Sequence, residues 1–317
     1  MRSSVRPLSR TLTAFGSIAI LAFTALPSSA ATDEGATEDV AELVSAVAPA
    51  VALAPTQQNS EAVQASAANA TASIPVSPEG VITLKGSEDG LALEVSLPAE
   101  AVVGPANVAA DGTVVYAASG DSPDVAVQMT STGTVRVQTV IPSESAGLEY
   151  TYTFGEGVIP AIQEDGSVVL ASDEANGVSV GYGTVAAPWA FDAAGEPVDT
   201  HYSVSGDQLV QVVTPAPDTT YPIVADPTVT VGTGIYVYYN KTETKNIAKS
   251  PVTDKLKYAS IVCAVIPNGV AAAGCALYIY DSYSSVADTF WRAARSNMRV
   301  EMKYTFSGHL IGWKPVA

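Results

Sequence analysis

The spacing of hydrophobic and polar positions changes along the chain, and each spacing predicts a different element. From about Ser73 apolar residues recur at every second position. Leu91, Leu93, Val95 and Leu97 alternate with Ala92, Glu94 and Ser96, and Leu148, Tyr150, Tyr152 and Phe154 with Glu149, Thr151 and Thr153. This is the period of strands with one buried and one wet face. Asp89-Gly90, Asp111-Gly112, Thr132-Gly133 and Asp165-Gly166 separate the runs with turn-forming residues. Strands are predicted near 81–84, 91–97, 113–118, 124–129, 134–141, 148–154, 167–171, 178–182, 200–204 and 208–213. Many short strands at this spacing make an antiparallel β-sandwich or barrel, and the sandwich is expected here.

After Pro227 the pattern changes. Ile235 to Tyr239 reads as a strand, Val252 to Ile266 and Val270 to Asn297 as helices, and Met298 to Phe306 as an alternating strand, with a last strand over Leu310 to Lys314. The order strand, helix, helix, strand, strand defines a small α+β module. Pro267-Asn268-Gly269 breaks the two helices apart, and Cys263 and Cys275 lie six residues either side of Gly269. Positions equidistant from the turn of a helical hairpin face each other, so an oxidising compartment would join Cys263 to Cys275. Two free buried thiols are the alternative.

The N-terminus supplies that compartment. Arg2, Arg6 and Arg10 precede an apolar run from Thr11 to Leu26, and Pro27, Ser28, Ser29 and Ala30 follow with small residues. This is the layout of a signal peptide over 1–30 cleaved after Ala30, which predicts a secreted protein; an uncleaved anchor is the alternative. Residues 31–72 contain 14 Ala and no aromatic residue, with Pro49 and Pro55 interrupting them. They are expected to form a disordered linker with one marginal helix over Glu38 to Val47. The expected organisation is therefore a signal peptide (1–30), a linker (31–72), a β-sandwich (73–230) and an α+β module with a helical hairpin (231–317).

Charge divides the chain near the same boundary. The 317 residues carry a net charge of -17, but between 31 and 240 Lys85 and Arg136 stand against 27 acidic residues, while 241–317 hold 10 basic and 5 acidic ones. A basic module beside an acidic body predicts docking of one on the other, with an anionic membrane surface as the second candidate partner and no nucleic acid.

Several strings carry a resemblance. GTVVY (112–116), DVAVQ (124–128), VRVQTVI (135–141), PWAFDAAGEPV (188–198), Tyr202-x-Val204-x-Gly206 and YPIVADPT (221–228) resemble a β-rich module of secreted actinobacterial proteins that precedes varied C-terminal regions. A similar string closes an N-terminal β region in large YD-repeat proteins. YYNKTET (238–244), followed by a Cys-containing apolar hairpin, resembles the tails of small members of that group. The resemblance covers most of 80–280 and implies an extracellular location and a carrier-like β module, with no activity to transfer.

Candidate chemistry is sparse. Gly177-Val178-Ser179-Val180-Gly181 matches G-x-S-x-G, with Asp192 and His201 downstream in hydrolase order. A nucleophile elbow needs a helix after the serine, and Gly181 to Pro188 begins none. His309 reads as a turn residue. Two His and two Cys exclude zinc ribbons and iron-sulfur clusters. The pairs Asp33-Glu34, Glu38-Asp39, Glu88-Asp89, Glu164-Asp165 and Asp173-Glu174 lack the spacing of a calcium loop; most lie at predicted turns, where Asp also serves as turn former, and they read as solvated. No cofactor is expected. Tyr258 to Tyr280 carries no charge over 23 residues, which suits either a buried hairpin, the favoured reading, or a membrane-inserting one. The expected function is that of a secreted, non-catalytic extracellular or envelope-associated binding protein. The alternative is a membrane-active effector whose active part is the basic hairpin module.

Overall fold

The structure, a computed structural model, describes residues 29–86, 92–250, 259, 260, 262, 263, 269–305 and 309–316. Most of the expected signal peptide, Lys255, Lys257 and most of the first expected hairpin helix lie outside these residues. The chain opens with helix α1 (Ser29–Val47), then strands β1 (Thr56–Gln58), β2 (Ala62–Ser66), β3 (Ala70–Pro75), β4 (Ile82–Gly86) and β5 (Ala92–Val95). Next come β6 (Val103–Val108), β7 (Val114–Ala118), β8 (Asp124–Met129), β9 (Thr134–Ile141) and β10 (Glu149–Tyr152). They lead to β11 (Val158–Ile162), β12 (Val168–Ser172), β13 (Val178–Val185) and the short β14 (Ala190–Phe191). Then follow β15 (Asp199–Ser205), β16 (Gln208–Thr214), β17 (Ile223–Ala225) and β18 (Thr228–Tyr239). Helix α2 (Lys241–Lys249), helix α3 (Gly269–Arg295), β19 (Arg299–Tyr304) and β20 (Leu310–Val316) complete it.

The protein is mainly β and antiparallel, with a C-terminal α+β module, as its periodicity predicts. Strands β1 to β5 form a meander, and β10, β16 and β15 form a small sheet. The largest sheet runs β11-β12-β13-β18-β9-β8-β7-β6, with β17 beside β9 and β19 and β20 beside the far half of β18. All three sheets turn side chains into one core, in which Ile74, Leu84, Leu93, Tyr116, Tyr152 and Leu170 are fully buried. A second core lies between the far end of the large sheet and the helices. There Phe290 of α3 meets Tyr239 edge to face at 5.1 Å, over Val237, Met302 and Ile247.

Strands β13 and β18 belong to both cores. Val185, Val229 and Val231 sit in the first, and Val178, Val180, Ile235, Val237 and Tyr239 in the second. The ladder between them shifts register between Gly181 and Gly183. Two glycines permit the close approach at this bend. A Cβ on Gly183 would run into the carbonyl oxygen of Thr230, and one on Gly234 into that of Tyr304. The domain boundary expected at 230/231 therefore falls inside β18, and the two modules are joined by one continuous strand, whose ladder to β13 is paired on either side of the bend. Two ion pairs, Arg292 to Asp288 at 2.9 Å and Lys314 to Glu301 at 3.3 Å, stay within the C-terminal module.

The expected linker is also corrected. Residues 31–72 contain most of α1, all of β1 and β2, and the start of β3. Helix α1 packs Val44 against Ala126, Val140 and Val224, while Glu38 Oε1 accepts the Ala110 N–H at 2.9 Å. Strands β2 and β3 alternate properly, but their inward positions include Ala65, Ala70 and Ala72, so a pattern judged on large apolar residues does not register them. Helix α2, absent from the expected elements, has a readable start. The Asn240 side chain accepts the Glu243 N–H at 2.7 Å, the arrangement that an Asn-x-x-Glu string encodes.

Gly183→Ala and Gly234→Ala are each expected to destabilise by about 1–3 kcal/mol through overpacking at the bend. Gly35→Ala, on an exposed turn of α1 with open space around its Cβ, should stabilise by about 0.5–1 kcal/mol. Urea midpoints of the three variants check this; unshifted midpoints for both bend variants would contradict it.

Candidate functional site

The second core covers one face of β13, β18, β19 and β20, and their other face is open. Strand alternation places Ile235, Val237 and Tyr239 inward and leaves Tyr236 and Tyr238 half-buried on the outer face. On β19 the same alternation buries Val300, Met302 and Tyr304 and turns Arg299, Glu301 and Lys303 outward. Register then lines up two rows across four strands. Ser179, Tyr238, Glu301 and Lys314 are successive partners in one, and Gly181, Tyr236, Lys303 and Gly312 in the other. At about 4.8 Å per strand each row is roughly 14 Å long.

The β11–β12 turn closes this face into a trough of about 520 Å³, with Glu164 and Asp165 on one rim and Arg299 and Lys314 on the other. A smaller hollow of about 130 Å³ adjoins it, between Tyr236 and Tyr238 over Gly181, Gly183 and Gly232. Lys314 pairs with Glu301, and Lys303 Nζ lies 5.1 Å from the centre of the Tyr236 ring. Burial first, then the Glu301 carboxylate and a hydrogen bond to it, hold the Tyr238 phenol above its usual pKa, so it is a proton donor across the physiological range. On the opposite rim, hydrogen bonds from the Ser167 hydroxyl and N–H hold Asp165 below the usual carboxylate range. The trough offers the Tyr238 phenol ring, donors and acceptors in a row, and charges that largely compensate one another, and the adjoining hollow adds the Tyr236 ring.

The sequence candidates are placed as follows. Ser179 is the second residue of β13, opposite Tyr238, and the strand runs on after it, so G-x-S-x-G forms no strand-turn-helix elbow, and Ser179 joins the trough instead. Asp192 is buried and accepts the N–H groups of Ala194 and Glu196 at Oδ1 and of Thr220 at Oδ2, each at 2.9 Å. The Thr220 bond leads in lowering its pKa. His201 is exposed on β15 opposite Val212. His309 closes the β19–β20 turn, its N–H donating to Thr305 Oγ1 at 2.9 Å. Of the acidic pairs, Asp165 and Asp173 accept local turn N–H groups, and Glu88-Asp89 lies outside the described residues. Among the described residues no three His, Cys, Asp or Glu side chains are grouped to hold a metal. Cys263 is buried, while the Cys275 side chain lies outside the described residues. No helix among the described residues is long and apolar enough to cross a membrane.

Tyr236, Tyr238, Lys303 and Lys314 were not anticipated as site residues. Their signal is present in Ile235-Tyr-Val-Tyr-Tyr239: aromatic residues at the two wet positions of a strand are unusual unless something covers them.

The strings that carry the family resemblance converge elsewhere. Strands β14 and β17 pair Ala190 with Ala225 and Phe191 with Val224, bringing PWAFD against YPIVADPT. At their junction Asp226 is fully buried, accepting the Trp189 N–H at 3.0 Å and the Thr228 hydroxyl at 2.9 Å. Arg136 sits nearby, its guanidinium 5.9 Å from the centre of the Trp189 ring and donating to the Pro49 carbonyl at 2.7 Å, which ties down the end of α1. Burial pushes Asp226 up to about 7, against the pull of Trp189, Thr228 and Arg136. Gln138, Tyr202 and Gln211 keep buried polar atoms without a protein partner around it. This is an interior lock that fastens β9, the start of β14, the β17–β18 junction and the end of α1.

No family model matches the chain, and no curated protein or solved structure matches it. The fold and the trough therefore define it only as an antiparallel β protein with an open, tyrosine-floored groove, and the resemblance rests on its strings.

The lock generates a pH dependence. Folded Asp226 keeps a proton to about pH 7 that an unfolded aspartate releases near its ordinary pKa of 3.8. The folded state thus binds more protons in that window, and this group makes stability fall as pH rises from about 4 to 7, then level off. Asp226→Asn should flatten that part of the profile. Urea midpoints at pH 5 and pH 8 check it, and equal slopes in the two proteins would contradict it.

Proposed function

We propose that this chain is an exported, non-catalytic binding protein of the cell exterior, and that the trough is where it binds an extended, uncharged polar chain, a glycan of the envelope. The observation that carries the reading is the row Ser179, Tyr238, Glu301 and Lys314 across four strands, beside a glycine hollow flanked by two tyrosines. Phenol rings supply flat apolar faces, and paired charges supply hydrogen bonds without favouring a net-charged ligand. The trough is a sheet face and offers no free backbone ladder, which disfavours an extended peptide. Export draws its support from the basic, apolar and small-residue layout of 1–30. The same compartment would complete a Cys263 to Cys275 bond, visible as a linked peptide pair in a non-reduced digest.

Titration calorimetry with a tetramer of N-acetylglucosamine tests the reading. Tyr238→Ala and Glu301→Gln should each weaken binding about tenfold, equivalent to ~1.4 kcal/mol, with unfolding midpoints little changed. Absence of glycan binding by the unaltered chain, or binding indifferent to both substitutions, would overturn it.

A further inference from the structure

The helices on the opposite side of the trough's sheet carry a second surface. Lys241, Lys245 and Lys249 recur every four residues along α2 and therefore form one stripe. Helix α3 packs beside α2 and ends with Trp291, Arg292 and Arg295. Between them lies an open groove of about 390 Å³ lined by Lys245, Ala248, Lys249, Trp291, Ala294 and Arg295. Its neighbours Phe290 and Ala293 are fully buried, yet Trp291 is 50% exposed, with the Arg295 guanidinium 4.5 Å from its ring centre. Asp288, paired with Arg292, and Glu243, in the first turn of α2, are the acidic residues of α2 and of the last three turns of α3, residues 286–295. Like charges four apart weaken a helix slightly, so this stripe does not serve the helix itself.

We infer that this surface is a docking face for an anionic lipid bilayer. An indole half out of the fold and ringed by cations matches the headgroup layer, where tryptophan rests with its ring in the apolar boundary and its N–H in the polar one. Charge supports the same occupant. Residues 31–240 carry 27 acidic side chains against two basic ones, so an anionic surface would repel the body and attract this end, orienting the molecule on approach. Since helices and trough lie on opposite faces of one sheet, a docked molecule turns its trough away from the bilayer. This inference is independent of the glycan reading, because the trough shares no lining residue with the groove.

The test is co-sedimentation of the full chain with vesicles of phosphatidylglycerol and phosphatidylcholine, and with vesicles of phosphatidylcholine alone. Binding to the anionic vesicles should be lost in high salt, as Debye screening requires. Each cation contributes about fivefold at such a surface, so Lys241→Gln, Lys249→Gln and Arg295→Gln combined should lower partitioning roughly a hundredfold. The N-terminal apolar run is common to both chains and cancels from that comparison. Quenching of tryptophan emission by brominated lipid should disappear in Trp291→Phe, with the urea midpoint unchanged. Equal partitioning of the unaltered and triple-substituted chains, or of the unaltered chain onto neutral and anionic vesicles, would overturn the inference. So would self-association in lipid-free buffer that the same substitutions abolish, because the occupant would then be a second copy.

Discussion

The β13–β18 pair is the constraint on which the rest of the architecture depends. One end of this ribbon lines the core shared by three sheets, and the other end lines the core beneath α2 and α3. Neither half of the ladder, on one side of the bend or the other, can be opened without stranding N–H and C=O groups, each costly when buried. The ribbon must also bend to serve both cores, and glycine at 183 and 234 is what the bend requires. The same bend makes the hollow beside Tyr236 and Tyr238, so the joint between the cores and the floor of the candidate site are one feature.

Much of this was legible in the sequence where large apolar residues alternate. Strands β8 and β9 match their predicted bounds because Val125, Val127, Val135 and Val137 all point inward. Elements whose inward positions are filled by alanine were not legible, as β2 and β3 show. The early half of β18 was not legible: the expected strand begins only at Ile235, whereas the strand starts at Thr228 and passes Gly232 and Gly234 at its bend. In the candidate site, periodicity alone assigned Arg299, Glu301 and Lys303 to a wet face. What it could not show was register, which depends on long-range pairing and sets Glu301 between Tyr238 and Lys314.

The charge division has a different physical meaning from the one that composition suggests. The basic module is joined to the acidic body by strand pairing, and its described cations divide between the helices, which carry Lys241, Lys245, Lys249, Arg292 and Arg295, and the open sheet face, which carries Arg299, Lys303 and Lys314. The strings of the resemblance likewise have an interior explanation, since Trp189, Asp192, Asp226 and Thr228 bond one another's segments and do not line the trough. Stability resides in the lock and the ribbon, whereas the proposed recognition falls to side chains on the open sheet face.

The central claim is that the two cores form one cooperative unit through the shared ribbon. Native-state hydrogen exchange under increasing urea tests it most directly, by comparing amides of β8 in the first core with those of β19 in the second. The account predicts that both sets merge into one opening event with the same free energy and the same urea dependence. A sub-global opening that exposes β19 and β20 while β8 stays protected would contradict it.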